Sequence, residues 1–247
     1  GRNRQTLFTS IFCGLSTRER ITPKVMFRAV LLLALPVILI LIQPSLGVSL
    51  ITVVGFIGIV LATNFNKKYL LVALAILLTA LPLFWRIMAP YQRQRVLNFL
   101  EPGSDPLGAG YNSLESTIAA GAGKLTGRGL GRGIQTQLSF LPAKQTDFIF
   151  AATGEELGFL GAGLMLIATF VILWRLTVYM GSSQSPAARA YLSGFFLTYL
   201  VQVFIHTGMD MGLLPVTGLP FPLVSAGGSS LLATMMGLGI ALGAYRK

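Results

Sequence analysis

LPAKQTDFIFAATGEELGF, residues 141–159, sets three of the chain's eight carboxylates at the mouth of an apolar run that continues to residue 176. A carboxylate at the edge of a low-dielectric region is costly unless something uses or satisfies it. On a helix, steps of eight and nine residues turn roughly 80° and 180° away from Asp147. Glu155 therefore lies nearer the face of Asp147, and Glu156 points away. The three acids are not one cluster: Asp147 is the candidate for chemistry, and the glutamates read as holding helices together. Thr146 and Asp147 also form a good helix start, with a hydroxyl cap and an acid opposing the positive end of the dipole. That setting keeps the aspartate ionised, so a cap and a general base are compatible.

Working outward, 53% of the 247 residues are hydrophobic and 11% charged, with a mean hydropathy of +0.72. Soluble domains carry about a quarter charged residues. Apolar stretches of about 18 to 23 residues match helices crossing the bilayer rather than the alternation of a membrane β-barrel. The fold class is an all-α integral membrane protein, a polytopic helical bundle with spans expected at 25–42, 46–63, 69–88, 156–176, 190–209 and 229–245. The chain reads as a single membrane domain, residues 1–247, with a large outer loop at about 89–155 that carries short helices. Lacking an initiator methionine, and with a first apolar run at 7–15 too short to cross, it is expected to be the C-terminal part of a longer protein.

The net charge of +11 does not point to nucleic acid. Basic residues gather in short connections (Arg18, Arg20, Lys24 and Arg28; Lys67 and Lys68; Arg175 and Arg189; Arg246 and Lys247) that all fall on one side, the cytoplasmic one. The lone Cys13 excludes an intrachain disulfide and any cysteine metal framework. Pro36 and Pro82 lie inside expected spans, where kinks are tolerated, and Gly55, Gly58, Gly158, Gly161 and Gly163 permit close helix approach.

The outer segment is too long for a simple connector. Within it, YQRQRVLNFL at 91–100 reads as a helix lying at the membrane surface, and YNSLESTIAAGAGK at 111–124 as a second helix too small and polar to span. Arg93, Arg95, Lys124, Arg128, Arg132 and Lys144 outnumber Glu101, Asp105 and Glu115 there. That surplus suits an anionic lipid head group or a pyrophosphate. The glycine run GKLTGRGLGRG at 123–133 lacks the P-loop spacing and a preceding strand; its amides and cations suit a phosphate cradle, or it is a flexible turn. His206 and Asp210, at i and i+4, permit a metal pair but read better as a hydrogen-bonded structural pair. The following GLLPVTGLPFPLVSAGGSS is non-helical backbone at membrane depth and reads as a cavity wall.

TDFIFAATGEELGF (146–159), GLLPVTGLPFPLVSAGGSSLL (212–232), QPSLG (43–47) and YQRQRVLNFLEPGSDPLGAGYN (91–112) together resemble the SEDS family (shape, elongation, division and sporulation; RodA, FtsW and SpoVE), closest to RodA. Family members have about ten spans, so roughly the first four would precede Gly1. The resemblance implies a peptidoglycan glycosyltransferase that polymerises lipid II at the outer face of the bacterial cytoplasmic membrane and releases undecaprenyl pyrophosphate. It further implies a class B penicillin-binding protein as transpeptidase partner. The family's essential aspartate falls on Asp147, implied to be the general base that takes the proton of the acceptor sugar's 4-hydroxyl. Arg93, Arg95, Lys124, Arg128, Lys144, Gln145 and Ser229 are the candidate substrate-binding residues. No protein metal site is expected, although cationic side chains or a divalent cation such as Mg would offset charge on the pyrophosphate.

Four positions depart from the family's pattern: Ala143 for a glutamate, Gln145 for a histidine, Ser45 for an aspartate and Ala226 for a tyrosine. His206 also stands where an asparagine is usual. Two alternatives use the same features. A lipid II flippase would have the basic cavity without a catalytic carboxylate, and a non-catalytic scaffold of the elongation or division complex would recruit the transpeptidase.

Overall fold

The computed structural model describes residues 23–43, 45–63, 79, 85–86, 88–101, 109–137, 141 and 143–245. Its elements are helices: α1 (Pro23–Ile42), α2 (Leu46–Ala62), α3 (Pro90–Leu100), α4 (Ala109–Ala122), α5 (Ile134–Gln137), α6 (Ile149–Ser182), α7 (Pro186–Asp210) and α8 (Gly228–Tyr245). The described residues contain no strand. Five of the six expected spans coincide with α1, α2, α6, α7 and α8, because each is a predominantly apolar run. Most of the sixth, at 69–88, lies outside the described residues, as do Pro82, Cys13, the run at 7–15, and Asp105. By length and hydropathy α6 and α7 are long enough to cross a membrane, while α2, α8 and residues 33–42 of α1 are shorter apolar helices.

Contacts divide the chain into two units. The first holds residues 1–86, 173–199 and 237–247. There α2 and α7 touch through missing side chains: a Cβ at Gly58 would stand 2.7 Å from the Ser193 carbonyl oxygen, and one at Gly194 would stand 2.9 Å from that of Gly55. The Ser193 hydroxyl donates to the Gly58 carbonyl at 2.7 Å. Gly55 and Gly58 are thus packing glycines, as expected. Also on α7, Tyr191 donates to the Gly237 carbonyl at 2.9 Å and stacks on Phe195 at 6.1 Å. Exposed Leu35, Ile38, Leu39 and Ile42 on α1 suit an apolar solvent.

The second unit holds residues 87–172 and 200–236. Proline at N1 and the Gln92 side chain, which accepts the Ala89 N–H at 3.1 Å, begin α3. This helix buries the polar Gln92 and Asn98 and exposes Tyr91, Leu97 and Leu100, an inversion that fits a helix with an apolar outer surface. Ala119, Leu141, Phe148 and Ala151 form a small core, with Ala120 and Val216 against it.

Within the same unit α6 is interrupted. Gly158 has φ 68° and ψ −163°, a region essentially reserved for glycine. The break frees carbonyls before it and N–H groups after it, and residues 124–129 satisfy both. Arg128 and Gly129 donate to the carbonyls of Glu155 and Glu156, each at 3.0 Å. Phe159 and Leu160 donate to those of Lys124 and Leu125 at 2.8 and 3.2 Å. Gly127 is required at the crossing, since a Cβ there would lie 2.2 Å from the Glu156 carbonyl oxygen. Gly158 is thus a helix break as well as a close-approach glycine, and of the glycine run's amides those of Arg128 and Gly129 are taken by α6 carbonyls rather than left for a phosphate. Gly163, another expected packing glycine, faces open space.

Candidate active site

Asp147 sits in a turn, residues 143–148, immediately before α6. Ala143 adopts φ 51°, and its carbonyl accepts the N–H groups of Thr146 and Asp147 at 3.0 Å and of Phe148 at 3.4 Å. The Thr146 hydroxyl donates back to the same carbonyl at 3.3 Å. It is therefore not the cap of α6 that its position suggests, because the left-handed Ala143 draws the turn's donors onto itself.

Two staples fasten this turn to the non-helical residues 211–227. The Ser225 hydroxyl donates to the Thr146 carbonyl and accepts the Phe221 N–H, both at 2.7 Å, and the Ala226 N–H donates to the Gln145 carbonyl at 2.8 Å. The loop is in turn tied to α7, where Gln202 donates to the Pro220 carbonyl at 2.8 Å. Phe221 is fully buried and stacks on Phe150 at 6.5 Å. The expected cavity wall is thus a hydrogen-bonded loop that braces the turn.

The Asp147 side chain is partly exposed, and among the described residues no donor bonds its carboxylate. Gly218 faces it: a Cβ at Gly218, which has φ 69°, would lie 3.9 Å from Asp147 Oδ2. The absent side chain leaves room beside the carboxylate. Two residues away, the Val216 carbonyl accepts a 3.4 Å hydrogen bond from Arg95 Nη1, bringing that guanidinium toward the same loop.

A separate cavity of about 310 Å³ is lined by Thr136, Gln137, Lys144, Gln145, Thr153 and Glu156 among others. Lys144 and Gln145 both line it. Thr136 and Gln137 of α5 and Thr153 of α6 are polar lining residues that sequence reasoning missed. Lys144 Nζ donates to the Thr136 carbonyl, and the Thr136 hydroxyl donates to Glu156 Oε1 at 3.1 Å. Glu155 is fully buried and accepts the N–H groups of Gln135 and Thr136, both at 2.9 Å. It caps α5 and holds it to α6, the kind of role expected of the glutamates. Lys124 and Arg128 are exposed on the loop that crosses the helix break, as is Arg132 just beyond it, and Ser229 is exposed in the first turn of α8. Arg93 is half-buried on α3. These residues do not line that cavity.

His206 and Asp210 form a fully buried pair, Nε2 to Oδ2 at 3.5 Å. Among the described residues no group of three or more His, Cys, Asp or Glu converges as a metal site.

The helices, the non-helical loop at their ends and the braced carboxylate define an all-α polytopic membrane protein with a built site on a turn. The cell cycle protein family FtsW/RodA/SpoVE matches residues 6–247, and the chain belongs to that family. It is 40% identical over 216 residues to the peptidoglycan glycosyltransferase MrdB of Escherichia coli K12, covering 87% of this chain and 58% of that one. It is 36% identical over 249 residues to the probable peptidoglycan glycosyltransferase FtsW of Idiomarina loihiensis, covering 96% and 59%. The chain therefore spans somewhat under two thirds of the length of these curated relatives. Among solved structures it is similar to a chain of a peptidoglycan synthase complex described for the coordination of polymerization and crosslinking, with a TM-score of 0.77, 33% identity and coverage of 96% and 66%. It is also similar to the Thermus thermophilus rod shape determining protein RodA, with a TM-score of 0.64, 27% identity and coverage of 96% and 61%.

Proposed function

We propose that this chain is the catalytic part of a peptidoglycan glycosyltransferase that polymerises lipid II, with Asp147 as general base. One observation carries the reading. In a family whose curated relatives are named for this activity, the single acid on the braced turn is partly exposed, has no side-chain donor among the described residues and faces a residue without a side chain. In the reaction, Asp147 takes the proton of the acceptor sugar's 4-hydroxyl as that oxygen bonds to the donor's anomeric carbon. The bond from that carbon to the pyrophosphate breaks, and undecaprenyl pyrophosphate leaves with the electron pair. Proton removal in the transition state sharpens a weak nucleophile by about 10²- to 10⁴-fold. Arg93, Arg95, Lys124, Arg128, Lys144, Gln145 and Ser229 bind the lipid-linked substrates, the cations opposing pyrophosphate charge.

The site faces the outer side of the bacterial cytoplasmic membrane, and a class B penicillin-binding protein supplies the crosslinking activity. The likeness to a peptidoglycan synthase complex supports that partner. Purified full-length protein incubated with lipid II and moenomycin should yield glycan strands. Transbilayer movement of lipid II without polymer would support a flippase instead, and neither activity would support a scaffold.

A further inference from the structure

Asp210 and His206 are buried polar groups that the proposed chemistry does not use. The Asp210 carboxylate lies at the end of α7 with no exposed surface, yet its Oδ2 accepts the Ala151 N–H of α6 at 2.9 Å. The first N–H groups of a helix have no partner within it. Thr146, the local candidate to cap them, is turned away toward Ala143. An acid from another helix therefore performs the cap, where its charge also opposes the positive end of the α6 dipole. Ala151 is one helical turn beyond Asp147.

The other end of the pair reaches the loop that faces Asp147. His206 Nδ1 lies 2.6 Å from the Leu219 carbonyl oxygen, which can only accept, so Nδ1 carries a proton. Leu219 follows Gly218, the residue that faces Asp147 Oδ2. The imidazole is held edge-on against Phe221 at 5.4 Å and 87°, while its Nε2 faces Asp210 at 3.5 Å. The Ser116 hydroxyl fixes the same end of α7 by donating to the Asp210 carbonyl at 3.0 Å.

We infer that His206 and Asp210 are positioning residues for Asp147, a buried bracket that holds both the start of α6 that follows the carboxylate and residues 218–219 that face it. The inference rests on the reading of Asp147 as general base. A displacement of about 1 Å at a reacting group can cost on the order of 10²-fold in rate, so loss of either arm should reduce turnover and leave substrate binding alone.

The test uses full-length protein polymerising lipid II, with hydrogen exchange over residues 145–155 as a readout independent of activity. Asp210→Ala and His206→Ala should each lower kcat by about 10- to 100-fold with KM within about twofold. Asp210→Ala should also speed exchange at the start of α6. Asp210→Asn should recover most of the loss, because its amide oxygen still accepts the Ala151 N–H. Folded Ala variants with undiminished kcat would overturn the bracket, as would an Asn variant as impaired as Ala despite normal exchange. If the bracket alone fails, Asp147→Asn remains inactive beside active Asp210→Ala; if the base assignment fails, Asp147→Asn is itself active.

Discussion

Asp147 keeps its carboxylate accessible because its neighbours make room for it and tie down its backbone. Ala143, at φ 51°, gathers three consecutive N–H groups onto one carbonyl, and Gly218 presents no side chain to Oδ2. Gly158 shows the same dependence on one residue, with a backbone that other residues rarely adopt and a virtual Cβ only 2.3 Å from the Gly127 nitrogen and 2.6 Å from the Leu125 carbonyl oxygen. Both obstructing atoms are backbone and cannot swing aside. Gly158→Ala should therefore cost at least about 3 kcal/mol, seen as a thermal midpoint in detergent several degrees lower. An unchanged midpoint would mean that the break in α6 does not require glycine.

At the scale of elements, two helix starts are capped from a distance. Glu155 of α6 supplies two acceptors to α5, and Asp210 of α7 supplies one to α6. Glu155→Ala would leave the N–H groups of Gln135 and Thr136 without acceptors and open space beside Gly133. The expected loss is about 1–3 kcal/mol, with proteolysis or hydrogen exchange increased over residues 130–140. Unaltered exchange there would show that α5 does not depend on the carboxylate. The apolar runs of α1, α2, α6, α7 and α8 were legible because hydropathy is local, as was the amphipathic α3. The path of residues 124–129 through the break in α6 was not, since it depends on partners some 30 residues apart. Asp210 as a cap was hidden for the same reason: Ala151 lies 59 residues away. The sequence motif marked Asp147, but it misread Thr146 because the left-handed turn at Ala143 leaves no sign in an alanine.

On the scale of the whole molecule, each unit is organised around a different kind of contact. One is joined by helices approaching through glycine, with Ser193 and Tyr191 donating to the carbonyls of the buried Gly58 and Gly237. The other contains the loop of residues 211–227, the braced turn and the buried pair. The family match covers residues of both units, so the proposed polymerisation is to be tested on the full-length protein rather than on either unit. The proposed role of Asp147 as general base is tested by one comparison: the rate at which purified full-length protein and its Asp147→Asn variant convert lipid II to glycan strands. Asn preserves size and hydrogen-bonding shape but is a far weaker base. Loss of polymer at an unchanged melting temperature is the predicted result, and undiminished polymer yield from the variant would contradict the account.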